Sequence, residues 1–168
     1  MATNFQALSF RFITVVLFYF CYFPSFGQTT TLLNKNKKTV LKYFDEVINT
    51  QKLNGIGEFF SSDYIWHQMN GKDVRSSQDS SHVAMKRWLY AATPDVHYTI
   101  DHVIAEWDMV ALNTTATGTA KGEMFGLPAG QKKVRYKQMF FFRLKYSKIT
   151  EQWEVVDVEG IKAQLAKQ

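Results

Sequence analysis

Lys132 to Asp157 reads KKVRYKQMFFFRLKYSKITEQWEVVD, and its period decides the fold. The run has a period of two, the signature of β-strands, and it turns at Tyr146-Ser147. It is therefore two long strands joined as a hairpin. On strict alternation Ile149, Glu151, Trp153, Val155 and Asp157 share one face of the second strand. Thr150, Gln152, Glu154 and Val156 share the other, which reads as the wetter side. Asp157 then stands among Ile, Trp and Val, where a carboxylate is costly unless it is paired, hydrogen-bonded or protonated.

Working outward, VHYTIDHVIAEWDMVALNTTATGTA supplies two more strands, joined at Glu106-Trp107-Asp108. The glycine-punctuated loop GEMFGLPAGQ connects the two pairs. Before Pro94 the period is helical. TVLKYFDEVINTQKLN places Val40, Leu41, Phe44, Val47 and Ile48 at helical spacing, which predicts an amphipathic helix over 37–53 stopped by Asn54-Gly55. IGEFFSSD reads as a short helix or turn and DYIWHQM as a short strand. SSQDSSHVAMKRWLYAATPD gives a further helix, with Val83, Met85, Trp88 and Leu89 on its buried side, ended by Thr93-Pro94-Asp95. Helices followed by an antiparallel meander predict an α+β fold. A sheet this long, curled over helices, encloses a cavity with Asp157 at its inward end.

The N-terminus reads as an export signal. MATNFQALSFRF carries one charge, Arg11; ITVVLFYFCYF follows, then Pro24 and the small residues of SFGQ. Cleavage is expected after Gly27, which divides the chain into a signal peptide (1–27), a lead-in (28–36) and one domain (37–168). Retention as a membrane anchor is the alternative. The expected location is periplasmic or secreted. Removing 27 of 168 residues leaves 141, enough for one well-buried core. The one cysteine, Cys21, leaves with the signal, so the mature chain has no disulfide, thiol nucleophile or thiolate ligand. The net charge of +5 falls to +4 without Arg11. Its excess lies in NKNKK (34–38) and QKKVRYK (131–137), and neither has the aromatic interleaving of a nucleic-acid surface.

The four histidines do not make a metal site: His97 and His102 point to opposite faces of a strand, and no HExxH accompanies His67 or His82. No cofactor motif appears, and no cofactor is expected. Carboxylate and histidine chemistry remains. Asp157 is the leading candidate, either as a proton-transfer group or as a cap on the C-terminal turn GIKAQL. DYIWH contributes Asp63 and His67, with Tyr64 and Trp66 as a pocket wall or as ordinary core. Trp88, Met139, Arg143 and Trp153 complete the expected binding set; Arg143 either pairs with an acid or faces solvent. RYKQ and MFFFR put large side chains on both faces of one strand. Helices cover only one face, so a homodimer is expected.

DYIWH, the run PDVHYTIDHVIAEWDMVALNTTATGTAKGEMFGLPA, and FFFRLKYSKITEQWEVVD followed by GIKAQL resemble the SnoaL-like polyketide cyclases, within the nuclear transport factor 2-like superfamily. The resemblance runs from about Thr39 to Leu165. It is most specific at Gly118–Pro128 and Arg143–Asp157. It implies a curved antiparallel sheet wrapped on helices as a cone, usually dimeric, with a pocket at one end. It also implies ring closure by intramolecular aldol condensation without metal or cofactor, with an aspartate matching Asp157 as acid/base. Trp107-Asp108 and PAGQKK depart from the family's pattern, and so does the signal peptide. The expected function is a cofactor-free acid/base enzyme of the cyclase, isomerase or dehydratase type. Its substrate is a small apolar carbonyl compound, with His67 or Tyr64 polarising the carbonyl oxygen. A noncatalytic exported protein that binds a small hydrophobic molecule, and a protein-interaction module, are the alternatives.

Overall fold

The hairpin forms as its period requires: β5 spans Lys132–Lys145 and β6 spans Lys148–Val156. Tyr146 and Ser147 turn between them, both with positive φ. The computed structural model describes residues 26–75 and 81–166. The expected signal segment lies outside these residues except for Phe26 and Gly27.

Helix α1 runs Phe26–Tyr43 and continues as a π-turn, Phe44–Ile48. A 3₁₀ turn (Leu53–Gly55) and the short α2 (Ile56–Phe59) lead into β1 (Phe60–His67). Then follow β2 (Asp73–Arg75), α3 (Ser81–Ala92), β3 (His97–Glu106), β4 (Met109–Ala120), the hairpin, and α4 (Val158–Ala166). The helix expected over 37–53 thus begins earlier and breaks sooner. The lead-in expected over 28–36 is helical, with Asn36 buried.

The six strands form one curved, unclosed sheet in the order β2-β1-β6-β5-β4-β3. Strands β3 to β6 are the expected antiparallel meander. β1 adds to its far side parallel to β6, and β2 folds back on β1. The parallel pair was not legible, because its pairing spans more than 80 residues. Among the described residues, no helix is long and apolar enough to cross a membrane.

The inner face of β5 is Val134, Tyr136, Gln138, Phe140, Phe142 and Leu144, all buried. Phe140 and Phe142 stack at 5.8 Å, and Phe44 meets Phe140 edge-on at 5.2 Å. Tyr43, Phe59 and Phe60 extend this cluster beneath α1. Burial of such rings is the main stabilising term here.

One irregularity reorders β6. Arg143 pairs with Glu151, but Leu144 pairs with Ile149, so Thr150 is an extra residue, a β-bulge. Past a bulge the alternation changes phase. Ile149 and Gln152 therefore share the inner face, although they are three residues apart. Glu154 joins them, buried among the helices, while Trp153 and Val155 turn outward. The expectation from strict alternation is corrected: from Glu151 onward the supposed wet face is the inner one.

Candidate active site

The inner face of β5 and β6 carries polar side chains at one end of its aromatic core. Gln138 and Gln152 each donate an amide N–H to Glu154 Oε2, both at 3.1 Å. Each amide is oriented from behind. The Tyr98 hydroxyl donates to Gln138 Oε1 at 3.0 Å, and the Tyr64 hydroxyl donates to Gln152 Oε1 at 3.2 Å. With both carbonyl ends occupied, neither amide can flip without losing a bond. Lys86, on α3, places Nζ 4.0 Å from the same Glu154 oxygen and 5.6 Å from the centre of the Phe140 ring.

This is an ion pair out of bulk water: Lys86 is 2% exposed and Glu154 8%. The buried carboxylate is tolerable because two amides and the ammonium face it, and the two tyrosine hydroxyls hold those amides in place. Burial pushes the hydroxyls of Tyr98, Tyr64 and Tyr136 above the ordinary phenol range, so they are neutral donors. Both amide bonds and the Lys86 contact end on Glu154 Oε2.

Glu154 lies on the wall of a cleft of about 100 Å³, partly open to solvent. Met85, Lys86, Trp88 and Leu89 of α3 form one side. Tyr98, Tyr136, Gln138 and Val156 of the sheet form the other, and Met124 and Phe125 close over it from the β4–β5 loop. That loop sits tightly on the end of α3, since the Lys121 and Gly122 N–H groups both donate to the Ala92 carbonyl. A side chain at Gly122 would press on the Ala92 backbone, and one at Gly118 would collide with Thr93. Gly118 and Gly122 therefore serve close approach of backbone to backbone.

The sequence-predicted residues divide between two places. Tyr64 and Trp66 are buried on the inner face, and Trp66 borders Glu154. Trp88 is at the cleft mouth, 43% exposed. Asp63 is exposed on β1. His67, Trp153, Arg143 and Met139 lie on the outer face of the sheet, away from the cleft. There His67 is held between Asp73 (2.7 Å) and Glu151 (2.8 Å) and stacks on Trp153 at 4.3 Å. Arg143 donates to Glu151 at 2.7 Å and pairs with Asp108 at 3.4 Å. Burial raises the Glu151 carboxyl, but its bonds and charge contacts with Arg143 and His67 outweigh this and bring it below the ordinary range.

Asp157 is in neither place. It is exposed, and its Oδ1 accepts the Gly160 N–H at 2.9 Å, the bond of an N-cap on α4. A side chain on Gly160 would collide with the Asp157 carboxylate, which shows how closely it folds over that turn. The expectation that Asp157 shares an apolar inner face is corrected by the bulge and by this cap.

Sequence reasoning missed Glu154, Lys86, Gln138, Gln152 and Tyr98. A readable signal was Gln138, which shares strand parity with Tyr136, Phe140 and Phe142 and so must be buried with them. Among the described residues, no group of three or more His, Cys, Asp or Glu side chains is placed to hold a metal.

Comparison with known proteins agrees with the fold. The family model for SnoaL-like polyketide cyclase matches residues 38–165. No curated protein matches the sequence. Among solved structures, AclR from Streptomyces galilaeus, a candidate hydroxylase, is 26% identical; the alignment covers 81% of this chain and 87% of that one, with a TM-score of 0.71. A candidate SnoaL-like polyketide cyclase from Jannaschia sp. CCS1 is 20% identical, over 81% and 94% of the two chains, with a TM-score of 0.72. IdmH from Streptomyces antibioticus, a candidate polyketide cyclase, is 21% identical over 79% and 99%, with a TM-score of 0.68. Helices followed by a curved six-stranded sheet, and a family match across most of the sequence, place this chain in the SnoaL-like polyketide cyclase family.

Proposed function

We propose that the protein is a cofactor-free acid/base enzyme of the cyclase or isomerase type, acting on a small apolar carbonyl compound, with Glu154 rather than Asp157 as the proton-transfer group. One observation carries this reading: a buried carboxylate, fixed by two oriented amides and an ammonium, stands on the wall of a mainly apolar cleft. A pocket of this composition suits an apolar ligand with one polar end.

The chemistry follows from the charges. Glu154 takes a proton from the carbon next to a bound carbonyl. The electron pair moves onto the carbonyl oxygen, and Lys86, relieved of its partner's charge, faces the resulting enolate. Glu154 then returns the proton to a different carbon in an isomerisation; in a ring closure the enolate carbon attacks a second carbonyl and Glu154 gives its proton to the new alkoxide. Asp157, whose carboxylate caps α4, lies outside the residues that line the cleft. Structural neighbours described as a hydroxylase and as cyclases share this architecture, so the fold does not choose the reaction.

The test is solvent exchange. Incubated in D₂O with 2-tetralone, the protein should accelerate deuterium incorporation beside the carbonyl. Glu154→Gln should lower that rate by about a hundredfold or more. Binding of 2-tetralone without accelerated exchange favours the noncatalytic binding protein.

We further propose a homodimer through the outer sheet face. Ile104, Phe141 and Trp153 stand in register across the strands, with Met139 and Val155 in the next row. Ile104 is 68% exposed, and Met139, Phe141 and Val155 are each nearly half exposed. A monomeric mass by light scattering at micromolar concentration would refute this. Export is the remaining proposal. A cut after Gly27 removes only the first two residues of α1, and N-terminal sequencing from the native host should begin near Gln28.

A further inference from the structure

The cleft mouth holds a strained residue with a job that its neighbours at similar positions lack. Met124 and Leu127 exchange two backbone hydrogen bonds of 3.0 Å, which makes Phe125-Gly126 a two-residue hairpin turn. Phe125 has φ +51 and Gly126 φ +81. Positive φ at both central residues is the I′ type of turn, where Asn-Gly is favoured and a bulky first residue is disfavoured. Trp107 and Tyr146 sit in hairpin turns of the sheet with φ +55 and +51. Their side chains are 79% and 90% exposed. Phe125 instead folds onto the cleft, 37% exposed, with its ring edge-on to Trp88 at 5.8 Å.

The turn is also tied down beside its partner ring. Met124 is buried and its sulfur accepts the Thr93 hydroxyl, just past the helix that carries Trp88. The two rings are therefore set by one rigid unit, the end of α3 and the loop bonded to it. Backbone strain held next to a ligand cleft is the pattern expected where side-chain placement outweighs turn preference.

We propose that Phe125 is a specificity-determining residue: with Trp88 it forms an aromatic jaw across the cleft mouth that favours flat rings over puckered ones. The proposal rests on the reading of this cleft as the small-molecule site. Ring faces and edges give an unsaturated, planar ligand contacts that a saturated ring of the same size cannot match.

The experiment compares 2-naphthol with 2-decalol, the same carbon skeleton flat and puckered, by calorimetry on the full chain. The wild type should bind 2-naphthol about fivefold to tenfold more tightly. Phe125→Asn should bring the two affinities within about twofold, while its melting temperature rises by roughly a few degrees because Asn suits the turn. Tyr146→Asn, in a turn where both central residues likewise have positive φ, should show the same rise with the wild-type preference intact, which separates relief of strain from loss of the jaw. A Phe125→Asn variant that keeps the preference would overturn the jaw and leave the cleft reading standing. Failure of both compounds to bind the wild type, or binding unaffected by a cleft-filling Leu89→Trp, would overturn the cleft reading and the jaw with it.

Discussion

The two faces of the β5–β6 hairpin carry nearly the same chemistry and put it to different use. Inside, Glu154 meets Lys86 and two glutamines, with aromatic rings around them. Outside, Glu151 meets Arg143 and His67, beside Trp153. Only two residues separate the two acids in the chain. The inner pair is almost wholly buried, so its charges act at close range with little screening. The outer network is solvated: the Arg143 side chain is 42% exposed and Asp108 54%. Environment, rather than residue type, makes one acid a candidate for catalysis and the other a surface ion pair.

The largest contrast is in packing. Phe142→Ala should destabilise by about 3–5 kcal/mol, because the ring is fully buried. Phe141→Ala, one residue along and facing out, should cost under about 1 kcal/mol in the monomer and show itself instead as weaker self-association. Urea unfolding and light scattering read the two effects, and equal losses would erase the distinction between the faces. Next comes charge. Lys86→Met strands a buried carboxylate and should cost about 3 kcal/mol, whereas Arg143→Met should cost at most about 1 kcal/mol. A cheap Lys86→Met would mean that the inner pair is neutral or wet.

Smaller effects sharpen the comparison at its edges. Asp157→Ala should lose about 1 kcal/mol and Asp157→Asn only a few tenths, as for an N-cap. Acid titration should find the outer network. The folded state holds the Glu151 carboxyl below its ordinary value of 4.5. Its stabilising contribution is therefore complete above that value and is lost as pH falls through the depressed one. Glu151→Gln should flatten this part of the stability–pH curve; an unchanged curve would remove the outer ion pairs from the account.

Much of the architecture was readable because it depends on local pattern. Period two after Pro94, helical spacing before it, and turns at Trp107-Asp108 and Tyr146-Ser147 all reappear in the structure. The family resemblance carried the curved sheet. The site was less legible for one physical reason. The Thr150 bulge adds a single residue, and a one-residue slip exchanges the faces of a strand. Strict alternation therefore put Trp153 inside and Glu154 outside. His67 and Arg143, read from the sequence as site residues, both bond to Glu151, on the other side of the sheet. Lys86 reads as one more solvated helix residue until the helix packs over Phe140.

The central claim is that the proton-transfer group is the inward-facing Glu154. Deuterium exchange into 2-tetralone, measured by NMR for Glu154→Gln and Asp157→Asn side by side at matched stability, tests it most directly. The account predicts that Asp157→Asn exchanges within about threefold of the wild type, while Glu154→Gln falls by about a hundredfold or more. The reverse order, with Asp157→Asn inactive and Glu154→Gln active, would contradict it.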